Sequence, residues 1–333
     1  MIVGGSTARP ESIGDLLGPE LMGKLDRVDV LSRKVFAGKL PGERRSKRRG
    51  QSVEFDDFRS YVPGDDLRHV DWNLFARLDK LYVKLFREEE DLSLVVLLDR
   101  SASMDAGQPN KLVFASRLAM ALGYVGLVNN NRVSLAAFGA DESGPALHQL
   151  TPTRGRTGVS RLAAFLLGGF TRGEHAGSGA RTQRLRPTGG GGAGLLQAAT
   201  SALVRTNLGK GVLVVLSDFL GEDDLARTLN NVGGGRSGFD SYCLQIVAPT
   251  ELEPDKEADL VGDLRLTDVE SGRAAEVTIS APLIRNYKKR FGAFTEDLNK
   301  QCAARDIAHS LIRTDADIDD LLLNSLRRRG LLG

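Results

Sequence analysis

Two five-residue runs, Leu94–Leu98 and Val212–Leu216, carry no polar side chain at all. A strand that is apolar at every position must be covered on both faces. In practice that means the interior of a parallel sheet flanked by helices. The surrounding pattern agrees. Lys111–Asn129 reads as a helix on the spacing of Leu112, Ala115, Ala119 and Leu122. Arg132–Phe138 and Tyr242–Val247 read as further strands, and Ser160–Leu167, Ala193–Thr206 and Glu222–Asn231 as further helices. Strands alternating with helices predict an α/β fold with a mostly parallel sheet and helices on both faces.

Four segments follow from this pattern. Residues 1–37 form an N-terminal segment. Residues 38–91 form a motif-dense block with some β structure, packed on the main domain. Residues 92–249 form the sheet domain, and 250–333 a tail with a hairpin around Ser271-Gly272, a long amphipathic helix over Pro282–Arg305, a strand at Ile307–Ile312 and a closing helix over Asp317–Arg329. Thr171–Gly192, rich in glycine and arginine, reads as a loop.

At 333 residues, 41% apolar and 26% charged, the chain has material for a sizeable core. Its net charge of +2 argues against a dedicated nucleic-acid binder, which carries a basic excess. Cys243 and Cys302 lie outside any CxxC pair and read as reduced, buried thiols. Met1–Pro10 lacks a signal-peptide pattern, and no unbroken apolar run approaches the ~20 residues of a membrane span. A cytoplasmic protein is expected.

The chemistry concentrates where the two apolar runs end. Leu94–Leu98 leads into Asp99-Arg100-Ser101-Ala102-Ser103-Met104, and Val212–Leu216 into Ser217-Asp218. Ligands of parallel α/β sheets bind at the carboxyl ends of strands. If the two strands are neighbours, Asp99 and Asp218 flank one crevice, with the Ser101 and Ser103 hydroxyls beside them. Carboxylates and hydroxyls are hard oxygen donors, which suit Mg²⁺. Singly, each aspartate also reads as a helix cap.

Other patterns are weaker. Gly189-x-Gly191-x-x-Gly194 lacks a preceding strand, and no P-loop is present. His69, His148, His175 and His309 show no ligand spacing. The basic run Arg44–Arg49 reads as a solvated loop. In Pro63-Gly64-Asp65-Asp66 the acids read as turn and cap residues, with Arg59, Arg68 and Arg77 as ion-pair partners.

Two blocks carry a family resemblance. Asp99-x-Ser101-x-Ser103, with Asp218 after a later strand, resembles the metal-ion-dependent adhesion site of von Willebrand factor type A domains. Glu54-Phe55, Arg59-x-Tyr61-Val62-Pro63-Gly64-Asp65-Asp66 and Asp71-Trp72 resemble the domain-of-unknown-function family number fifty-eight, whose members place this block before such a domain. The resemblance runs from about Gly38 to the C-terminus. It implies a Rossmann-like von Willebrand A-type sheet. It also implies Mg²⁺ or Mn²⁺ held by Asp99, Ser101, Ser103 and Asp218, and partnership with MoxR-type AAA+ ATPases in chaperone-like assembly or maturation of client proteins. One position departs from the pattern. Ala193 stands where adhesion sites carry a threonine, so the metal is expected to bind weakly or not at all, with Thr188 as the nearest substitute.

The resulting expectation is a non-enzymatic protein-interaction module. The alternative is a metal-dependent hydrolase or phosphatase using Asp99 and Asp218.

Overall fold

In the computed structural model the two apolar runs are adjacent strands at the middle of a seven-stranded sheet. The structure describes residues 8–32, 54–87, 92–141, 143–170, 179–186, 194–206, 210–221, 224–233, 238–256, 262–267 and 274–333. The chain falls into two units, residues 1–34 with 92–333, and residues 35–91.

The smaller unit corresponds to the block expected over 38–91. Strands β1 (Glu54–Ser60) and β2 (Tyr82–Arg87) pair antiparallel, from Glu54 opposite Arg87 to Ser60 opposite Tyr82, with a bulge between Phe55 and Asp57. The acids of its motif hold turns and caps. Asp65 accepts from the Val62 N–H at 2.9 Å and pairs with Arg59 at 2.5 Å. Asp66 accepts from the Arg68 N–H at 3.0 Å and pairs with the Arg68 guanidinium at 2.7 Å. Asp71 caps the helix Trp72–Leu78 by accepting from the N–H groups of Asn73 and Leu74, and pairs with Lys84 at 3.0 Å. The arginine pairs of Arg59 and Arg68 close within this unit.

In the larger unit, short helices α1 (Ile13–Leu16) and α2 (Pro19–Leu25) precede the sheet; the smaller unit's Trp72–Leu78 is α3. Then come β3 (Ser93–Asp99), α4 (Lys111–Val128), β4 (Arg132–Asp141), β5 (Gly144–Leu150), α5 (Val159–Gly168), β6 (Ala180–Arg184), α6 (Leu195–Arg205), β7 (Gly211–Ser217), α7 (Leu225–Val232), β8 (Phe239–Val247) and α8 (Pro249–Leu252). The tail adds the hairpin β9 (Gly262–Thr267) and β10 (Ala274–Ile279), then α9 (Ala281–Ala303) and β11 (Ile307–Arg313).

The sheet order is β11-β8-β7-β3-β4-β5-β6. The five strands from β11 to β4 are mutually parallel; β5 runs antiparallel to β4, and β6, antiparallel to β5, returns to the direction of the five. Every residue of β3 and β7 is buried, as their composition requires. Val95, Leu97, Leu213 and Val215 share one core with α6, α7 and α9. Leu94 and Val133 meet α4 on the opposite face at Gly126, where an added Cβ would come within 2.6 Å of Val133 and 3.0 Å of Leu94. Each fully buried Leu or Val contributes roughly 1.5–3 kcal/mol relative to exposure, so the two central strands hold a large share of the fold's stability.

Helix α4 is apolar on every side because it is covered on every side, by β3 and β4 and by α1, α2 and α5. Among the described residues it is the one helix long and apolar enough to cross a membrane, and most of it is buried within the protein. Ser116 and Arg117 interrupt its run of apolar residues.

Two expectations are corrected. The sheet does not end at residue 249, since β11 in the tail pairs with β8 from Ile307 opposite Ser241 to Arg313 opposite Val247. The loop read over 171–192 contains β6, an exposed edge strand whose polar sequence ARTQR suits a sheet rim. The closing helix expected over 317–329 is present as one continuous helical run from Ile318 to Arg328, with a π-type stretch at Leu321–Ser325. Cys243 and Cys302 are both buried, in the same core.

Candidate functional site

The chain leaves β3 toward β4 on one side and later returns to lay β7 on the other side of β3. The carboxyl ends of β3 and β7 therefore form a topological switch point, where open α/β sheets bind ligands. The pairing runs from Ser93 opposite Gly211 to Leu98 opposite Leu216. Asp99 and Asp218 thus emerge side by side from adjacent strands, as the sequence predicted.

Local geometry fixes Asp99. Its Oδ1 accepts from the Ser101 N–H at 2.8 Å, an Asx-type turn that bends the chain off the strand. Its Oδ2 accepts from the Ser217 hydroxyl at 2.5 Å, which ties β3 to β7. The Arg100 N–H donates to the Phe138 carbonyl at 2.8 Å. Gly139 permits this approach, since a Cβ there would stand 2.8 Å from the Arg100 carbonyl oxygen. The turn Ala102–Asp105 follows, anchored by buried Met104. The Ser101 and Ser103 hydroxyls then lie 3.0 Å apart, sharing one hydrogen bond.

Asp218 is held differently. Its Oδ1 accepts from the Leu220 N–H at 3.1 Å. Its Oδ2 accepts from the Lys111 ammonium at 2.9 Å. Lys111 also donates to Glu251 Oε1 at 2.5 Å, and Glu251 Oε2 accepts from the Ala248 N–H at 2.8 Å. Lys111 and Asp218 are each 1% exposed. The following residue, Phe219, is buried with φ +58, a conformation that bulky residues rarely adopt. Such strain costs about 1–3 kcal/mol and persists only where the surroundings over-determine it.

Lys111 belongs to the site, although the sequence reading treated it only as the start of a helix. Its signal was a cation in the first turn of a long helix, where the macrodipole favours acids. Its partners lie 107 and 140 residues away, beyond any local pattern.

Burial and the neighbouring Asp218 charge push the Asp99 carboxyl up to about 7. Burial pulls the Lys111 ammonium down, but Asp218 and Glu251 outweigh it and the net shift is upward. The raised pKa has a stability consequence. The proton on Asp99 favours the folded state, so its contribution is complete below the unfolded value near 4 and is lost as pH rises through about 7. Asp99→Asn imitates the protonated form. In EDTA it is expected to match the parent near pH 4 and to exceed it at pH 8 by on the order of 2–4 kcal/mol, from ~1.4 kcal/mol per pKa unit. Urea midpoints across pH check this, and a difference that does not change with pH contradicts it.

As a donor set, Asp99, Ser101 and Ser103 fit a hard divalent cation. The two hydroxyls lie together beside Asp99, whose oxygens accept from the Ser101 N–H and the Ser217 hydroxyl and would have to give up one of these to ligate directly, and a nearby positive charge would favour ionised Asp99. The fourth expected ligand, Asp218, has both oxygens engaged, one of them by an ammonium. Among the described residues no three His, Cys, Asp or Glu side chains cluster to hold a metal. Ala193, Thr188 and the run Arg44–Arg49 lie outside the described residues.

The fold and site define a mixed α/β protein with a carboxylate and hydroxyl cluster at the switch point of a mostly parallel sheet. Residues 57–296 match the family of proteins of unknown function DUF58, and the chain belongs to that family. Uncharacterized proteins of Mycobacterium bovis and Mycobacterium tuberculosis are each 28% identical over 326 residues, covering 96% of this chain and 93% of theirs. A solved structure of an aerotolerance-related membrane protein from Bacteroides fragilis, carrying multiple mutations to serines, aligns with 72% of this chain and 98% of its own at 14% identity and a TM-score of 0.36.

Proposed function

We propose that the carboxyl end of β3 and β7 is a protein-docking site of von Willebrand A type, in a non-enzymatic interaction module. The observation that carries this reading is the pair of hydroxyls 3.0 Å apart beside buried Asp99 at the switch point. Ser101 and Ser103 would hold Mg²⁺ or Mn²⁺ directly, with Asp99 steadying it. Bound there, the ion would offer an open coordination position to an acidic side chain of a partner. With few protein oxygens and a metal that gives up its waters reluctantly, the dependence is in the millimolar range of Mg²⁺.

The proposed partner is a MoxR-type AAA+ ATPase, with the module assisting assembly or maturation of client proteins in the cytoplasm. The alternative, hydrolysis through Asp99 and Asp218, is less favoured because Asp218 is engaged by Lys111 and the Leu220 N–H and is not free to act as a base.

Capture of the ATPase partner by the immobilised protein separates the readings. Capture in ~5 mM Mg²⁺, lost in EDTA and lost on Asp99→Ala, supports docking. Capture indifferent to EDTA contradicts it. Phosphoester turnover that disappears with Asp99→Ala would replace it with the hydrolase.

A further inference from the structure

Lys111 is an unusual residue for its place. It is the first residue of the 18-residue helix α4, with Asn110 as the cap accepting from the Val113 N–H at 3.0 Å. A cation there opposes the helix macrodipole. It is also almost wholly buried, a position where lysine is found only when paired. Two carboxylates satisfy it, Asp218 at 2.9 Å and Glu251 at 2.5 Å. Glu251 is in turn fixed by the Ala248 N–H at the start of α8. The ammonium is therefore clamped from three elements: α4, the end of β7 and α8.

We infer that Lys111 is a tethered counter-ion for Asp218, and that it competes with a divalent cation for that carboxylate. This deepens the docking proposal, on whose metal site it rests. The charge that an adhesion-type site would draw from a metal is supplied on this side of the crevice by the chain itself. A divalent cation at Ser101 and Ser103 can recruit Asp218 only by displacing the ammonium, or by standing beside a like charge in a poorly screened interior. Either disfavours tight binding. The low affinity is thus built into Lys111 and does not depend only on the residue at position 193.

Three proteins test this by calorimetry with MnCl2 and MgCl2, and by thermal unfolding with and without metal. Lys111→Met, which frees Asp218, is expected to bind metal at least ten-fold more tightly than the parent and to melt higher when metal is added. Lys111→Met with Asp218→Asn removes both charges and returns the affinity to the parent level. Asp218→Asn alone keeps the Lys111–Glu251 pair and is expected to leave the parent's metal affinity within two-fold.

A Lys111→Met protein that gains no metal affinity, whether folded or not, overturns the inference. So does a gain that survives Asp218→Asn, or a ten-fold loss in Asp218→Asn alone. The outcomes separate from those of the docking proposal. If partner capture needs metal but Lys111→Met gains nothing, only the Lys111 inference falls. If Lys111→Met gains affinity but capture ignores metal, only the docking proposal falls.

Discussion

Lys111→Met, measured in EDTA, is expected to lose about 3–5 kcal/mol of stability, the usual cost of breaking a buried ion pair by removing one partner. The reason is the group left behind. Asp218 is 1% exposed and would be left with only the Leu220 N–H donating to its side chain. Glu251 suffers less, because it is 22% exposed and retains the Ala248 N–H. The double variant with Asp218→Asn should recover most of the loss, since replacing both members of a buried pair is often neutral. The sign of the pH dependence also follows. The ammonium's pKa is raised in the folded protein, so its contribution is present below the ordinary lysine value and is lost only as pH climbs through the raised one. Between pH 6 and 9 the penalty should be flat. Urea unfolding checks both points, and a penalty under about 1 kcal/mol means that the pair is solvated.

Gly211→Ala is expected to be at least as damaging, by more than about 4 kcal/mol or to the point of no soluble protein. Gly211 opens β7 directly beside Ser93, and an added Cβ would lie 2.0 Å from the Ser93 carbonyl oxygen and 2.7 Å from its nitrogen. Both are backbone atoms of the neighbouring strand, so no side chain can move aside. The Ser93 N–H donates to the Lys210 carbonyl at 2.9 Å, which locks the two strands at this point. Circular dichroism melts and soluble yield read the effect. A Gly211→Ala protein within about 1 kcal/mol of the parent would mean a different register between β3 and β7, and Asp99 and Asp218 would no longer emerge together.

The central strands were legible because burial on both faces leaves a plain sequence mark. Leu94–Leu98 and Val212–Leu216 could be nothing but interior; their adjacency, the condition for Asp99 and Asp218 to flank one crevice, is what the folded sheet supplies. The rim was not legible. β5, largely buried, and β6, largely exposed, are antiparallel-paired additions, and the polar residues of β6, Arg181, Gln183 and Arg184, carry no strand-like alternation. β11 was seen as a strand, but its parallel pairing with β8 depends on α9 crossing back over the sheet, a long-range event that no local pattern encodes.

The site divides the same way. Asp99, Ser101 and Ser103 sit within five residues and were visible as a cluster. Lys111 was not, because one lysine at a helix start is ordinarily solvated, and only the folded chain shows it buried between Asp218 and Glu251. Asp65 and Asp66 could be read from turn and capping chemistry, and that is how they are used, but the cap of the helix at Trp72 is Asp71, to which the sequence reading gave no role.

Whether Ser101 and Ser103, steadied by Asp99, form the proposed metal-assisted docking point is tested most directly by making the capture quantitative, as affinity for the proposed AAA+ partner against free Mg²⁺ for the parent and for Ser103→Ala. The account predicts that the parent's affinity rises with Mg²⁺ over the millimolar range, and that Ser103→Ala flattens the curve while leaving the melting temperature nearly unchanged. An affinity that stays constant from EDTA to ~10 mM Mg²⁺, or a Ser103→Ala curve that overlays the parent's, contradicts it.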